Sequence, residues 1–399
     1  MTCSAIETPA VPSQVETPRE SIFRVALIPG DGIGQEIMES ASEVLHLLFP
    51  TADSTSPESP VLELIEARAG LQAFFDTGKA LPDATLDLLK TCHGALFGAV
   101  SSPSEFLDGY KSPIVTMRRA MDLYANLRPL ISAPIPGVKP DIDILLVREN
   151  TEGLYCGRER WVDSDGEHES DETQSAVAER WISRKASERI AVTAFEAARQ
   201  RIRQGHPGCV TVAHKANVLR LTDGLFRTTV LDVASRFPDV EVEEQLVDSL
   251  LYRLIQEPER YDVIVAPNLY GDMLADAGAA LVGGLGLVPS ANSGYLDGRP
   301  WTLAEPVHGS APDIAGQGIA NPVAMLYATA LLLESTGFET AGHRLRRAIR
   351  QTLEHGPKTP DLGGHSSTRE VTQAVIERLG DSEAHLFETT PASWSMSLL

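Results

Sequence analysis

The segment YDVIVAPNLYGDMLAD (261–276) has the pattern of a buried strand that runs into a helix, and it carries two aspartates four residues apart. That spacing is about one helical turn, so Asp272 and Asp276 project from the same helix face. Two carboxylates on one face can bind a hard divalent cation such as Mg²⁺ or Mn²⁺, and the segment has no thiolate or imidazole that would favour zinc. A solvated acidic helix face has the same spacing, so the pair alone leaves both interpretations open.

Three arginines are candidates to hold an anionic substrate near that cation. Arg118 lies in MRRAMDLYANLRP, Arg128 lies near the end of the same segment, and Arg148 lies in LLVRENTEGLY. A guanidinium group binds a carboxylate through two parallel hydrogen bonds, so three of them in one place would bind a di- or tricarboxylic acid. Their convergence cannot be inferred from spacing, and each one alone is more typical of a surface arginine.

Two further side chains are candidates for proton transfer. Lys215 directly follows the apolar run VTVAH, at the strand end where α/β proteins place active-site residues. A lysine beside a cation and several arginines has a lowered pKa, which makes it a plausible base near neutral pH. Tyr155 offers a phenol that can deliver a proton. The alternatives are a solvated lysine and a half-buried packing tyrosine.

An α/β framework is expected to position these residues. The apolar runs VALIP (25–29), ALFGAV (95–100), DILLVR (143–148), VTVAH (210–214) and DVIVAP (262–267) predict strands, and segments with helical spacing separate them. Such alternation predicts a mainly parallel sheet covered by helices. The turn GDGIG (30–34) is not a G-x-G-x-x-G fingerprint, because Gln35 stands at the third glycine position, so we do not predict a dinucleotide site there.

Composition excludes several classes of partner. The chain has 399 residues, of which 43% are hydrophobic, so it can bury a large core and is long enough for two domains. Its net charge of −21 opposes broad attraction to nucleic acid or to an anionic membrane, and no run approaches the ~18 apolar residues of a membrane span. The cysteines, Cys3, Cys92, Cys156 and Cys209, lie far apart, which argues against a structural zinc site and a disulfide framework.

Two segments are too polar to belong to the core. Residues 1–21 are rich in Pro, Ser, Thr and Glu and predict a disordered tail. The tail lacks the arginine-rich composition of a mitochondrial presequence and the apolar stretch of a secretory signal, so the expected location is the cytoplasm. The residues between Cys156 and Glu179 are charged and turn-rich. They predict either an arm that contacts a second subunit or a mobile surface loop.

Motifs along most of the chain resemble one known family. They are GDGIG (30–34), DLYANLRP (122–129), RENTEGLY (148–155), AHKANVL (213–219), NLYGDMLAD (268–276), GGLGLVPSAN (283–292) and EPVHGSAPDIAGQGIANP (305–322). They are similar to the metal-dependent β-decarboxylating dehydrogenases, the isocitrate/isopropylmalate dehydrogenase family, whose members act on isocitrate, 3-isopropylmalate, homoisocitrate and tartrate. The resemblance extends from Ile22 to Leu379.

The resemblance implies a fold and a division of the chain. The fold is a two-domain α/β structure of the isopropylmalate dehydrogenase type, distinct from the Rossmann fold, with the active site in the cleft between the domains. Residues 22–115 and 283–399 would form the cofactor-binding domain. Residues 116–282 would bind substrate and metal and would dimerise. The implied assembly is a homodimer with shared active sites.

The resemblance also implies roles for individual residues. Tyr155 and Lys215 would be the catalytic pair for proton transfer, and the residues matching Lys215 and Asp248 extend into the active site of the partner subunit in this family. The substrate would be bound by Arg118, Arg128, Arg148 and Asn217, the metal by Asp248, Asp272 and Asp276, and the cofactor by Glu305, His308, Gly309, Ser310, Ala311, Asp313, Ile314 and Asn321.

The loop assigned to the cofactor favours NAD⁺ over NADP⁺. Asp313 can accept hydrogen bonds from ribose hydroxyls, whereas a 2′-phosphate there would bring like charges together. The segment HGSAPDIAG (308–316) has no lysine or arginine to offset them. The expected cofactors are therefore NAD⁺ and Mg²⁺ or Mn²⁺.

The substituent at substrate C3 distinguishes the members of the family. Residues 101–129 and GPKTPDLGG (356–364) look most like homoisocitrate dehydrogenases of the lysine pathway. Glu105, however, stands where those enzymes tend to carry a basic residue that meets the distal carboxylate, and Ile114 and Val115 are apolar, as in isopropylmalate enzymes. The expected substrate is homoisocitrate or a close relative. The alternatives are an isopropylmalate-type, alkylmalate or arylmalate dehydrogenase, an isocitrate dehydrogenase, and a non-catalytic regulatory subunit.

Overall fold

The computed structural model describes residues 22–49, 60–101, 103, 107–162 and 175–381. The predicted tail and Glu105 lie outside the described residues. The strands are β1 Ile22–Gly30, β2 Val61–Glu66, β3 Gly94–Ala99, β4 Ala125–Ile131, β5 Asp143–Glu149, β6 Glu159–Val162, β7 Ser175–Ala178, β8 Cys209–His214, β9 Glu241–Leu246, β10 Val263–Ala266, β11 Pro289–Leu296 and β12 Arg299–Pro306. The helices are α1 Gly34–Leu48, α2 Leu71–Thr77, α3 Asp83–Leu89, α4 Pro113–Ala120, α5 Arg184–Arg203, α6 Thr222–Ala234, α7 Val247–Gln256, α8 Asn268–Val282, α9 Val323–Ser335, α10 Glu339–His355 and α11 Thr368–Asp381.

Ten strands form one sheet in the order β2-β1-β3-β12-β11-β4-β5-β10-β8-β9. The neighbours are parallel except at β12-β11, β11-β4 and β4-β5, which are antiparallel. Every apolar run predicted as a strand lies in this sheet, so the prediction of a mainly parallel α/β sheet is confirmed.

Alternate residues of the strands face different helices, because side chains of a strand point to opposite faces of the sheet. In β5, Leu145 and Val147 belong to a core cluster with α5 and α6, whereas Ile144 and Leu146 belong to one with α7 and α8. The sheet is therefore buried on both faces. This explains why the strand sequences are continuous apolar runs rather than alternating ones.

The two predicted domains contribute strands to opposite halves of the sheet. Strands β2, β1, β3, β12 and β11 come from 22–115 and 283–399, and β4, β5, β10, β8 and β9 come from 116–282. The antiparallel pair β11 and β4 joins them. The division into two domains with separate functions stays a prediction.

The polar segment after Cys156 contains a separate hairpin. Strands β6 and β7 pair antiparallel, and their residues are exposed. Residues 163–174 lie outside the described part of the chain. Whether the hairpin contacts a second subunit stays a prediction. Within the described ranges, no helix combines the length and apolar character required to cross a bilayer.

Candidate active site

Helix α8 presents the paired aspartates. Strand β10 ends at Ala266, and α8 begins at Asn268 after Pro267, so the strand leads directly into the helix. Asp272 and Asp276 lie one turn apart on it, as predicted. Gly271 allows a close approach to the neighbouring strand, because a Cβ there would lie only 2.7 Å from Arg148 Cγ.

Arg148 packs against α8 and is almost fully buried. Its Nε and Nη2 atoms donate to Asn268 Oδ1 at 3.0 and 2.7 Å, and Nη1 donates to Asp272 Oδ1. The Asn268 side chain in turn donates to the Glu152 carbonyl at 3.0 Å. Each nitrogen atom of the guanidinium thus donates a hydrogen bond that fixes its orientation.

Arg128 reaches the same aspartate from the adjacent strand. Its Nη1 lies 3.2 Å from Asp272 Oδ1, and its Nε donates to Asn126 Oδ1 at 2.6 Å. Nη1 is buried and has no hydrogen bond of good geometry to any described residue. The register of the sheet places Asn126 opposite both Arg148 in β5 and Asn292 in β11, so these polar groups form one row across three strands.

Arg118 joins this row through Glu305. Its Nη2 donates to Glu305 Oε1 at 2.8 Å, and Asn292 Nδ2 donates to the same oxygen at 2.7 Å. Asn126 Nδ2 donates to Asn292 Oδ1 at 2.8 Å. The three predicted substrate arginines therefore converge, and Glu305, predicted as a cofactor residue, is hydrogen-bonded to one of them.

Tyr155 completes the cluster. Its hydroxyl donates to Asp272 Oδ2 at 2.5 Å, and the Arg148 guanidinium carbon lies 5.3 Å from the centre of its ring. Burial and the hydrogen bond to the Asp272 carboxylate raise the pKa of Tyr155. The phenol is therefore protonated near neutral pH and can act as a proton donor.

The charged side chains of the cluster shift one another's pKa values. Burial, together with repulsion from Arg128 and Arg118, lowers the pKa of Arg148 to about 9. Burial opposes ionisation of Asp272, but the charges of Arg148 and Arg128 outweigh it, so the pKa of Asp272 is lowered. Partial burial and the charge of Asp272 raise the pKa of Asp276. Repelling arginines favour an anionic ligand, and repelling carboxylates favour a cation.

Lys215 and Asp248 form a second, more exposed group. Lys215 Nζ donates to Asp248 Oδ1, and this bond is the main cause of the lowered pKa of Asp248. The Lys215 backbone N–H donates at 2.7 Å to Asp223 Oδ2, a buried carboxylate that also pairs with Arg180 at 2.8 Å. Asn217, on the same loop, is exposed.

No hydrogen bond or ion pair between described residues joins this group to the Arg148–Asp272–Tyr155 cluster. Within the described ranges, no set of three or more His, Cys, Asp and Glu side chains comes together as a metal site. The chain thus brings Asp272 and Asp276 together but does not bring its own Asp248 to them. The paired oxygen donors are of the type that Mg²⁺ and Mn²⁺ prefer.

The predicted cofactor loop follows β12 and packs on the GDGIG turn. Ile33 N donates to the Ser310 carbonyl at 2.9 Å, and a Cβ at Gly32 would lie 2.1 Å from that oxygen. Ala311 has a left-handed backbone with φ of 37°. The glycine turn is therefore used for close contact with this loop.

The remaining loop residues differ in exposure. Burial lowers the pKa of His308, whose Nδ1 lies 2.9 Å from the Gly309 carbonyl oxygen and whose buried Nε2 has no hydrogen bond to a described residue. Asn321 is buried and donates to Asp361 Oδ2 at 2.9 Å. Asp313 is exposed and Ile314 is half-buried. An unsatisfied ring nitrogen and an exposed carboxylate leave polar groups available to a ligand.

Comparison with known proteins identifies the family. The model of the family "Isocitrate/isopropylmalate dehydrogenase" matches residues 24–375. The chain belongs to this family. It is 45% identical over 360 residues to an isocitrate/homoisocitrate dehydrogenase of Thermus thermophilus, covering 90% of this chain and 98% of the relative. It is 41% identical over 367 residues to a homoisocitrate dehydrogenase of Methanocaldococcus jannaschii, covering 89% of this chain and 97% of the relative.

A solved structure agrees with this assignment. The crystal structure of isocitrate dehydrogenase from Methylococcus capsulatus superposes with a TM-score of 0.80 at 39% identity, covering 90% of this chain and 99% of that chain. The predicted isocitrate/isopropylmalate dehydrogenase fold is thereby confirmed. As a member of the family, the chain is an oxidoreductase of the β-decarboxylating dehydrogenase class.

Sequence reasoning missed the asparagines that connect the arginines of this dehydrogenase. Asn126 lies in β4, Asn292 lies in β11 and Asn268 begins α8. Asparagine is depleted in strands, so two fully buried asparagines in neighbouring strands signal a polar network rather than packing. That anomaly was present in the motifs DLYANLRP and GGLGLVPSAN.

Proposed function

We propose that this dehydrogenase oxidises and decarboxylates a 3-substituted malate to a 2-oxo acid and CO₂, with NAD⁺ and Mg²⁺ or Mn²⁺. The best candidate substrate is homoisocitrate, which would yield 2-oxoadipate. The observation that carries the proposal is the convergence of Arg118, Arg128 and Arg148 on Asp272 beside Tyr155.

The arginine cluster supports an anionic substrate with several carboxylates. The charge of Arg118 contributes to the lowered pKa of both other arginines, which places all three within electrostatic reach of one another. Arg118 Nε and Arg128 Nη1 are buried donors without a hydrogen-bonded acceptor among the described residues. Substrate carboxylates would satisfy these donors and reduce the mutual repulsion.

Asp272 and Asp276, with Asp248 of the partner subunit, would hold the divalent cation, and the loop from Glu305 to Asn321 would hold NAD⁺. When bound, the cation would supply Lewis acidity and NAD⁺ would supply a hydride acceptor. The arginines would orient the carboxylates so that C2 and C3 present a fixed face. The loop carries Asp313 and no cation in residues 308–316, which favours NAD⁺.

Two side chains of this protein would move protons. The Lys215 amine would accept the proton of the C2 hydroxyl, and the Tyr155 phenol would deliver a proton to C3 after CO₂ is lost. The raised pKa of Tyr155 keeps its proton in place until that step. Lys215 pairs with Asp248 rather than with Tyr155, so the proposal requires Lys215 to act on a neighbouring chain.

Exposed apolar side chains support a homodimer. Val218 and Leu221 follow Lys215 in sequence, and their exposed fractions are 64% and 86%. Tyr252 and Ile255 on α7 and Met273 on α8 are also exposed, at 67%, 52% and 55%. These residues lie on the elements that carry Lys215, Asp248 and Asp272. A twofold contact through them would cover the apolar surface and would bring the second chain's Lys215 and Asp248 to this part of the site.

The choice between homoisocitrate and an uncharged C3 group depends on few residues. Relatives named homoisocitrate dehydrogenase favour the former. Ile114 is buried in a core cluster with Met117 and Trp301, whereas Val115 is half-buried one helical turn before Arg118. An apolar Val115 beside the substrate arginines favours the second candidate, an isopropylmalate-type or alkyl- or arylmalate dehydrogenase. A cytoplasmic location stays a prediction.

A substrate panel tests the proposal. Purified chain would be assayed with NAD⁺ and Mg²⁺ on homoisocitrate, isocitrate, 3-isopropylmalate and a bulky arylmalate, with NADH and CO₂ both measured. Preference for homoisocitrate is expected. A higher kcat/KM for an apolar malate would select the second candidate. Activity with none of these substrates, or full activity after stringent chelation, would refute the proposal, and an inactive single chain would favour a regulatory subunit.

A further inference from the structure

A cavity lies away from the proposed active site. Its volume is about 100 Å³, and it is formed where β4 and the start of β11 meet α9 and α10. Its walls include Pro129, Ile131, Leu287 and Leu353, all apolar. None of the residues assigned to substrate, metal or cofactor lines it. The cavity is therefore not part of that site.

Four polar side chains also line this cavity, and two of them already have partners. The Ser132 hydroxyl donates to the Lys139 carbonyl at 2.6 Å, and the charge of Arg346 is neutralised. Arg346 donates through Nε and Nη2 to both carboxylate oxygens of the buried Glu334, at 2.5 and 3.0 Å. This two-point ion pair cancels its charge. Arg346 therefore supports the wall but does not need a ligand.

The other two polar groups have no such partner. Arg350, one turn further along α10, makes no ion pair or hydrogen bond with the described residues, and the Tyr327 hydroxyl makes no hydrogen bond with them. Burial raises the pKa of Tyr327 to about 12, so the hydroxyl stays protonated and can donate. The cavity thus combines an apolar wall, one neutral donor and the positive charge of Arg350, a solvent-exposed residue that pairs with no described carboxylate.

We propose that this cavity binds a small organic carboxylate with a short, branched aliphatic body. The carboxylate would pair with Arg350 and accept a hydrogen bond from Tyr327, and the aliphatic body would contact the apolar wall. An apolar cavity of about 150 Å³ holds a benzene ring, so this volume suits a body of roughly four or five carbon atoms. An inorganic anion would leave the apolar wall without contacts.

The position of the cavity gives the ligand contacts with both segments of the chain. Pro129 and Ile131 belong to the proposed substrate segment, 116–282. Leu287, Tyr327, Arg350 and Leu353 belong to the proposed cofactor segment. The ligand would therefore bridge the β4–β11 junction between the two.

Calorimetric titration of the full chain with 3-methylbutanoate, without NAD⁺ or metal, tests the proposal. Saturable binding at one site per chain is expected. Arg350→Gln should weaken it on the order of tenfold to a hundredfold, because a charged hydrogen bond is lost. Tyr327→Phe keeps the shape and should weaken it less. The matched control is Arg347→Gln, on the same helix but outside the cavity, which should bind as the wild type does.

The neutral isostere 3-methylbutanamide separates charge recognition from apolar filling. It should bind much more weakly than the carboxylate. No saturable binding, binding that is unchanged in Arg350→Gln, or equal binding of the amide would overturn the proposal. If the carboxylate bound instead at the arginines of the active site, its binding would be unchanged in Arg350→Gln. Because the titration uses neither cofactor nor turnover, its failure leaves the proposed dehydrogenase activity untouched.

Discussion

The Arg148–Asp272–Tyr155 cluster and the Lys215–Asp248 pair carry comparable chemistry in opposite environments. The side chains of Arg148 and Arg128 are 1% and 6% exposed, and asparagines and an aspartate hold them from several sides. The side chains of Lys215 and Asp248 are 26% and 62% exposed and hold mainly each other. The chain therefore holds the side chains of the first region by many contacts of its own, whereas the Lys215 and Asp248 side chains have few.

The difference indicates where the energy of each region lies. Breaking a buried ion pair by removing one partner costs about 3–5 kcal/mol, because a charge is left uncompensated, whereas an exposed pair contributes about 0–1 kcal/mol. The buried cluster is thus organised before any ligand binds. The exposed pair contributes little to stability, so its ordered surroundings must come from a partner if it acts in catalysis.

The largest expected effect tests whether the two regions work in different chains. Lys215→Ala and Asp272→Asn should each lower kcat by on the order of 10²–10⁴, because each removes a group that acts on the reacting atoms. In a mixed dimer of the two variants, one site would combine an intact Lys215 with an intact Asp272. Statistical mixing of subunits should therefore restore about one quarter of wild-type activity.

The control for this experiment is a mixture of two variants from the same region. Tyr155→Phe with Asp272→Asn should remain inactive after mixing, because Tyr155 and Asp272 of one site come from the same chain. Each of the two sites in the mixed dimer then carries one of the two defects. The measurement is the activity recovered after the two variants are refolded together, with subunit exchange verified by mass spectrometry. It distinguishes a Lys215 that acts on the partner chain from one that acts within its own chain. No recovery in the Lys215→Ala mixture would show that Lys215 acts within its own chain.

The next effect concerns the apolar surface around Lys215. Leu221→Glu should weaken dimerisation by about 2 kcal/mol or more if Leu221 lies in the core of the contact. Activity should then fall on dilution and recover at high protein concentration. Sedimentation velocity measures the change in assembly. Phe75→Glu is the matched control, since Phe75 on α2 is 62% exposed and lies outside these elements. An unchanged dimer in Leu221→Glu would place the interface elsewhere.

A smaller effect is expected from crowding the buried cluster. Gly271→Ala adds a Cβ 2.7 Å from Arg148 Cγ, so the arginine or the helix must shift. Overpacking of this kind costs about 1–3 kcal/mol, and the misplaced guanidinium should raise KM more than a stability loss alone would. Denaturant unfolding measures the loss of stability, and steady-state kinetics measures the rise in KM. Gly380→Ala, which is also helical and meets no atom within 4 Å, should leave KM unchanged and show only the stabilisation of about 0.4–1 kcal/mol that replacing a helical glycine gives. Wild-type KM in Gly271→Ala would contradict the packing argument.

Local patterns predicted the buried cluster better than the exposed pair. The turn-length spacing of Asp272 and Asp276 on a helix after a strand is a local property, and the structure has it. The convergence of the arginines is not local, because it arises from the register that places β11, β4 and β5 side by side. Periodicity identifies strands, but it does not give their order in the sheet.

The GDGIG turn shows that the role of a glycine motif depends on residues that are distant in sequence. Its glycines resemble a phosphate-binding turn, but the third glycine of the fingerprint is missing. The reason for Gly32 is contact with Ser310, which is far away in sequence. The pairing of Lys215 with Asp248 likewise joins the loop after β8 to α7 and has no sequence signal. Contacts of this kind depend on tertiary structure.

The smallest expected effect lies at Asp276, at the edge of the buried cluster. Its pKa is raised from 3.8 by partial burial and by Asp272, so the folded state disfavours the ionised form. Asp276→Asn should therefore stabilise the metal-free protein at neutral pH, by a few tenths of a kcal/mol at most because solvent screens the group. The gain should vanish as pH falls below 3.8, where the carboxyl is protonated in both states.

The same substitution should have the opposite effect when Mg²⁺ is present. A ligand that binds only the folded state raises its stability in proportion to occupancy, so the wild type should gain thermal stability with increasing Mg²⁺. Asp276→Asn removes one of the two α8 carboxylates and should lose most of that gain. Differential scanning calorimetry with and without Mg²⁺ measures both effects on the stability of this one variant. A Mg²⁺-dependent stabilisation as large as that of the wild type would exclude Asp276 from the metal site and leave it as a solvated helix carboxylate.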